Sequence, residues 1–244
     1  MSKILIANWK ANPQTLEEAE KLFDAEAYRN VVICPPALYV QPLTRHATRY
    51  KVHIGSQDLF WEGGAHTGQI SAEMLKQFGV THVLVGHSER RALGETDEQI
   101  NKKLKATLTA GMIPILLIGE QEKNDAVRQD ILIDQLTRDL EGVSAEDATK
   151  IHYTFEPAWA ISTTSGNKAE SLDNIIAGVE MMKDILQKSF KLQASSFKML
   201  YGASVNGENT QEILSRPELS GAVVGGASLR AEEFKKMVEI TAKL

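Results

Sequence analysis

Residues 151–161, Ile151-His152-Tyr153-Thr154-Phe155-Glu156-Pro157-Ala158-Trp159-Ala160-Ile161, hold the unit that repeats through this chain. The run Ile151–Phe155 is short, largely apolar and without helical period, so it reads as a strand buried on both faces. It ends on a single carboxylate, Glu156. Pro157 confines Glu156 to extended geometry and keeps the chain from continuing as helix. A small apolar loop follows. Similar runs recur on either side, at Ile4–Ala7, Val31–Cys34, Val52–Gly55, His82–Val85, Ile113–Ile118, Met199–Tyr201 and Ala222–Val224, which makes eight strands in all.

Helical patterns separate the runs. Thr15-Leu16-Glu17-Glu18 has the spacing of a capping box and opens a helix towards Tyr28. Thr96-Asp97-Glu98-Gln99 opens another, which ends near Gly111. From Leu172 to Leu186, the residues Ile175, Ile176, Val179, Met182, Ile185 and Leu186 form a core-facing stripe, and Ala231–Leu244 closes the chain as a last helix. Strand followed by helix throughout indicates an α/β fold. Eight such units in 244 residues predict a closed (β/α)8 barrel, the TIM barrel, as one domain over residues 1–244.

Composition narrows the function. With 43% hydrophobic residues the chain can bury one large core, and its net charge of −5, with no basic tract, argues against nucleic acid as a partner. The lone Cys34, in an apolar run that ends in prolines, reads as a buried thiol. The apolar run before Asn8 is too short for a secretion signal or a membrane span, so a soluble, cytoplasmic protein with no membrane partner is expected.

In a barrel of this kind the chemistry sits at the C-terminal ends of the strands. The polar signatures fall there: Asn8 and Lys10 after the first run, His87 after the fourth, Glu156 after the sixth, Ser204 after the seventh, Gly225 and Gly226 after the eighth. A partly desolvated Glu156 has raised proton affinity and suits a general base; the alternative is a structural carboxylate paired with an arginine. Ser88-Glu89-Arg90-Arg91 looks like the first turn of a helix, whose N-terminus disfavours a positive imidazole at His87. A neutral His87 can donate a hydrogen bond to a carbonyl and polarise it; the alternative is an ordinary core or surface histidine. The six histidines show no metal-ligand spacing, so no metal site is expected. Lys10, unless it is an ordinary surface lysine, would bind a phosphate ester and stabilise a developing oxyanion. Gly225-Gly226-Ala227-Ser228 lets backbone amides approach an anion at a short helix. Base, electrophile and cation together indicate proton transfer on an anionic substrate.

These motifs together resemble triosephosphate isomerases. The resemblance spans nearly the whole chain, from Asn8-Trp9-Lys10 to Val224-Gly225-Gly226-Ala227-Ser228. It is most specific at Val85-Gly86-His87-Ser88-Glu89-Arg90-Arg91 and at Glu156-Pro157-Ala158-Trp159-Ala160-Ile161, and weaker at 64–71 and 201–205. It implies interconversion of D-glyceraldehyde 3-phosphate and dihydroxyacetone phosphate through an enediolate, with no cofactor or metal. By the same resemblance Glu156 moves the proton, His87 serves the oxygens, Lys10 and Asn8 stabilise negative charge, and Glu89 supports Lys10. Amides at Ser162, Ser204, Gly225 and Gly226 would hold the phosphate, and the loop after Glu156 would close and exclude water. The family's usual state implies a homodimer, with Thr67 on the 64–71 loop near the partner's active site.

The chain departs from the family's pattern at several places. Ser162-Thr163-Thr164-Ser165 replaces a Gly-Thr-Gly-Lys flap, and β-branched Thr164 resists the positive φ that glycine adopts freely. A flap that hinges differently and leaks more substrate as methylglyoxal is the expectation. Ala203 stands for a glycine, Leu117 for a cysteine, Gln69 for a glutamate and His66 for an aromatic. The changes at Gln69, an expected partner of Arg90 across subunits, and at His66 predict a weaker, pH-sensitive dimer. Two further readings remain: a catalytically reduced phosphosugar-binding barrel, and another phosphosugar barrel enzyme with a similar phosphate grip.

Overall fold

The structure, a computed structural model, describes residues 3–50, 52–161, 170–193 and 195–244. Eight strands, β1 (Ile4–Asn8), β2 (Val31–Cys34), β3 (His53–Ser56), β4 (Val80–Val85), β5 (Ile113–Ile118), β6 (His152–Phe155), β7 (Lys198–Tyr201) and β8 (Gly221–Val224), pair in parallel and in chain order. β8 pairs with β1, from Ile4 beside Gly221 to Ala7 beside Val224, and this closes the predicted barrel. All eight expected strands are present. β4 starts two residues earlier than its apolar run, because Val80 is already paired with Ile54 and the polar Thr81 separates it from that run.

Two apolar clusters explain why the strands are apolar on both faces. Inside the barrel lie Ile6, Val32, Cys34, Leu84, Ile115, Leu117, Leu200 and Val223. Outside it a larger cluster packs strand residues such as Leu5, Val83, Leu116 and Phe155 against the helices. These are α1 (Leu16–Glu26), α2 (Ala37–Tyr50), α3 (Ala72–Gln77), α4 (Ser88–Ala92), α5 (Asp97–Thr109), α6 (Arg128–Asp139), α7 (Ala145–Ala148), α8 (Leu172–Phe190), α9 (Thr210–Leu214) and α10 (Ala231–Thr241). A one-residue slip of any strand would turn its inner set outward, so the two clusters together fix register. The buried thiol of Cys34 belongs to the inner set, and burial pushes its pKa up.

The helix starts follow the expected caps, with one difference. At α5, Thr96 accepts from the Gln99 amide and the Gln99 side chain takes the Thr96 N–H, a complete capping box. At α1, Thr15 accepts from the Glu18 amide, but the Glu18 carboxylate takes the Thr15 hydroxyl instead of its backbone. Gly111, at φ 67°, turns the chain out of α5 towards β5.

Candidate active site

The C-terminal ends of β1, β4 and β6 bring Asn8, Lys10, His87 and Glu156 to one small cavity, which Gly202 and Gly225 also line. Glu156 is buried, with 4% of its surface exposed. No arginine pairs with it among the described residues. One carboxylate oxygen accepts the Ser88 N–H at 2.8 Å, and the other lies 3.1 Å from His87 Nε2. Burial raises the Glu156 pKa, while His87, the Ser88 amide and Lys10 act to lower it.

His87 caps α4, whose first turn the sequence indicates. Its Nδ1 accepts the Glu89 N–H at 3.1 Å. A nitrogen that accepts a hydrogen bond carries no proton, so the imidazole's single proton sits on Nε2, the nitrogen 3.1 Å from Glu156. That is the neutral, donating tautomer that a carbonyl substrate needs.

Lys10 has left-handed backbone geometry, φ 53°, which costs a non-glycine residue roughly 1 kcal/mol. Two side chains hold it there. Asn8 Oδ1 accepts the Lys10 N–H at 3.1 Å, and Gln57 Nε2 donates to the Lys10 carbonyl at 2.8 Å and to the Cys34 carbonyl at 2.9 Å. The turn aims the Lys10 ammonium at Glu89, with which it forms an ion pair. The stem of the side chain lies beside Gly225.

Among the expected phosphate contacts, Gly225 lines the cavity and Gly226 opens a short 3-10 helix, 226–229, as the glycine motif suggests. The Ser204 hydroxyl donates to the Ala160 carbonyl at 2.7 Å, which ties the β7 loop to the segment after Glu156. Ala203 is buried and lines the cavity. Ser162, and with it the altered flap at 162–166, lies outside the described residues. Thr67 is exposed on its loop and is not among the residues that line this cavity.

Three supports escape the sequence. Gln57 fixes Lys10, yet it stands in a loop with no motif of its own. The Ser88 amide holds Glu156, and a backbone donor leaves no side-chain trace. Gly119 lets β5 approach β6: a Cβ there would sit 2.1 Å from the Glu156 carbonyl oxygen. The glycine after a strand is the one signal that points to it.

A buried carboxylate and a neutral imidazole in contact, with a cation beside them at the mouth of a parallel eight-stranded barrel, define a proton-transfer enzyme of the (β/α)8 class. Residues 3–241 match the sequence profile of triosephosphate isomerase. The triosephosphate isomerase of Alkaliphilus metalliredigens is 37% identical over 96% of this chain and 98% of its own, and that of Dictyoglomus thermophilum is 38% identical over 97% and 98%. A crystal structure of triosephosphate isomerase from Bartonella henselae superposes with a TM-score of 0.84 at 28% identity, covering 99% of this chain and 100% of that one. The chain belongs to the triosephosphate isomerase family.

Proposed function

We propose that Glu156 is the base and His87 the electrophile of this chain, which as a member of its family interconverts D-glyceraldehyde 3-phosphate and dihydroxyacetone phosphate. The contact between Glu156 and His87 Nε2 carries the reading. A substrate carbonyl arriving at Nε2 comes between the ring and the Glu156 oxygen that now lies 3.1 Å from it. That oxygen loses the stabilising influence of His87 and becomes more basic as the substrate docks. It then removes a proton from the carbon next to the carbonyl and returns it to the neighbouring carbon, in line with the known pairing of base and neutral histidine in this family. His87 donates its Nε2 proton to the oxygen that gains charge and takes up the hydroxyl proton of the neighbouring oxygen as the second carbonyl forms, so the ring ends neutral. Lys10 and Asn8 stabilise the enediolate, and Glu89 orients Lys10. Amides at Ser162, Ser204, Gly225 and Gly226 hold the phosphate. Nothing in the site favours a barrel that binds without turnover, since binding alone does not need a buried base.

The same reading makes the molecule a cytoplasmic homodimer that delivers Thr67 to the partner's site. In a single chain, residues 62–65 and 67–70 are exposed on a loop closed by the Phe60–Ser71 bridge, and Ile70 and Leu93 line a cavity of about 480 Å³ that also reaches Lys10 and Glu89. A second copy's loop would fill it.

Isomerisation of glyceraldehyde 3-phosphate by the purified protein tests the assignment. Glu156→Gln is expected to lower kcat by about 10²–10⁴-fold, the usual contribution of a general base. A variant with turnover close to that of the parent would remove Glu156 from the mechanism.

A further inference from the structure

The other end of the barrel carries chemistry that isomerisation does not use. Barrel interiors are filled mainly by branched aliphatic residues. At the N-terminal opening this interior instead holds His82, His152 and Lys198. Residues two apart on a strand share a face, so His82 follows Leu84 inward and Lys198 follows Leu200. His152 is in register with the inward Ile115 on one side and with Lys198 on the other. His53 opens β3 next to them. The ring centroids of His53 and His82 are 5.4 Å apart, and those of His82 and His152 are 5.7 Å apart.

One of these groups is incompletely satisfied. His82 Nδ1 lies 2.8 Å from the Thr81 hydroxyl, but His152 Nδ1 is buried without a hydrogen-bond partner among the described residues. His152 is only 6% exposed. Burial and the nearby Lys198 lower its pKa to about 3, so the ring is neutral in a region of positive potential. His152 forms part of the wall of a cavity of about 770 Å³ that Lys3, Lys150, Lys183 and Lys198 also line. The acidic side chain in that lining, Glu218, is tied to Arg216 at 3.1 Å. Lys3 donates to the carbonyls of Arg216 and Leu219, Lys150 pairs with Asp147 and Lys183 with Glu180. Lys198 has no acidic partner among the described residues.

We propose that the N-terminal mouth of the barrel is a second binding site, for a small oxyanion held between the Lys198 ammonium and the His152 imidazole. Lys198 sets the sign of the ligand, because a cation would meet an ammonium that no carboxylate among the described residues offsets. Ile113, Phe197 and Leu219 form an apolar part of the wall, which suits the short carbon body of an organic acid or a phosphate ester. The site lies at the opposite end of the strands from Glu156, so its occupant does not compete with the triose phosphate.

NMR of the histidine ring protons in the full chain tests this at constant ionic strength, with inorganic phosphate in one titration and succinate in the other. His87 reports the active site in the same spectra. A saturable shift of His152 and His82 with a midpoint different from that of His87 is expected, and whichever titrant produces it identifies phosphate or carboxylate as the chemistry recognised. Lys198→Met should weaken the midpoint about tenfold, the loss of one charge-assisted hydrogen bond, while Lys198→Arg keeps it. Both variants should retain parental isomerase turnover, which also shows that they fold. The proposal is overturned if His152 stays still in both titrations, moves only in step with His87, or responds equally in Lys198→Met.

Discussion

Glu156 accepts the Ser88 amide and lies against the His87 ring inside a buried mouth, and with Glu156 as the proposed base that balance would set where activity is lost in acid. Burial is the larger influence and raises the carboxyl pKa; His87, Ser88 and Lys10 only partly offset it. The base works ionised, so kcat/KM should fall as pH drops through that raised value, earlier than an ordinary carboxylate near 4.3 would allow. A pH profile corrected for the substrate phosphate's own ionisation near pH 6 checks this. An acid limb at the ordinary carboxylate value would contradict it. Gly119→Ala offers a second test at this scale. The added methyl would stand 2.1 Å from the Glu156 carbonyl oxygen and 2.5 Å from its carbonyl carbon, so backbone must move. Overpacking of this kind costs roughly 1–3 kcal/mol, and a shift of about 1 Å in a catalytic group can cost 10²-fold in rate. Both melting temperature and kcat should fall; a variant with unchanged kcat would show that the β5–β6 approach does not position the base. Glu156, His87 and Lys10 are legible in the sequence because each stands within three residues of the end of an apolar run. Gln57 and the Ser88 amide are not, since their roles exist only once the barrel brings the end of β3 to those of β1 and β2, and the end of β4 to that of β6.

At the scale of elements, α1 is pinned to the site's first strand by a buried pair. Trp9 Nε1 donates to Glu26 Oε2 at 2.9 Å, and Glu26, the last residue of α1, is fully buried. Its other oxygen has no hydrogen-bond partner among the described residues. Burial raises the Glu26 pKa to about 8, against which the Trp9 hydrogen bond acts only weakly. The folded chain therefore holds this proton at neutral pH while the unfolded chain has released it. By linkage the stabilisation is complete below the ordinary carboxylate range, declines as pH rises, and is gone above about 8. Glu26→Gln mimics the protonated form, so its melting temperature should fall less than the parent's between pH 5 and 9. For a chain of this size about 1 kcal/mol corresponds to 2–4 °C, which thermal melts resolve. Equal falls in the two proteins would rule out a protonated Glu26. Elements differ in how openly the sequence announces them. The eight strands are legible because burial on both faces demands continuous apolar runs. By contrast α3, α4, α7 and α9 are too short to show a period, although Ser88-Glu89-Arg90-Arg91 announces the start of α4, and α2 carries Pro42 inside it. The end of α8 is hidden for another reason: Lys191, not glycine, takes the left-handed cap at φ 60°.

At the scale of the whole molecule, the exposed surface of one chain argues for a second. Leu38 and Leu93 are each 86% exposed, and Met74 and Ile70 are partly so. Leu93 and Ile70 line the cavity beside Lys10 and Glu89, and Ala37, next to Leu38, lines it too. The loop that would enter a partner turns at Gly64 and Gly68, φ 117° and 86°, and is stiffened where the Phe60 ring packs on Trp61 and His66. The expected weakness at Gln69 loses one of its supports here. Arg90, its expected partner, already meets Asp58 at 2.8 Å and Glu95 at 3.1 Å within its own chain, so a neutral Gln69 leaves no unpaired charge. His66 keeps the other support, since its Nε2 lies 3.2 Å from Glu62 in the same loop and its charge depends on pH. Sedimentation velocity at pH 5.5 and 8 separates the two influences. A dimer that loosens only at pH 5.5 assigns the weakness to His66; equal, tight association at both removes it. Leu93→Glu places a charge on the apolar contact and should shift the protein to monomer at both pH values. On the proposed delivery of Thr67 to a neighbouring site, turnover should fall with it. A monomeric Leu93→Glu protein with full turnover would mean that each barrel completes its own active site, and the dimer would then need another explanation.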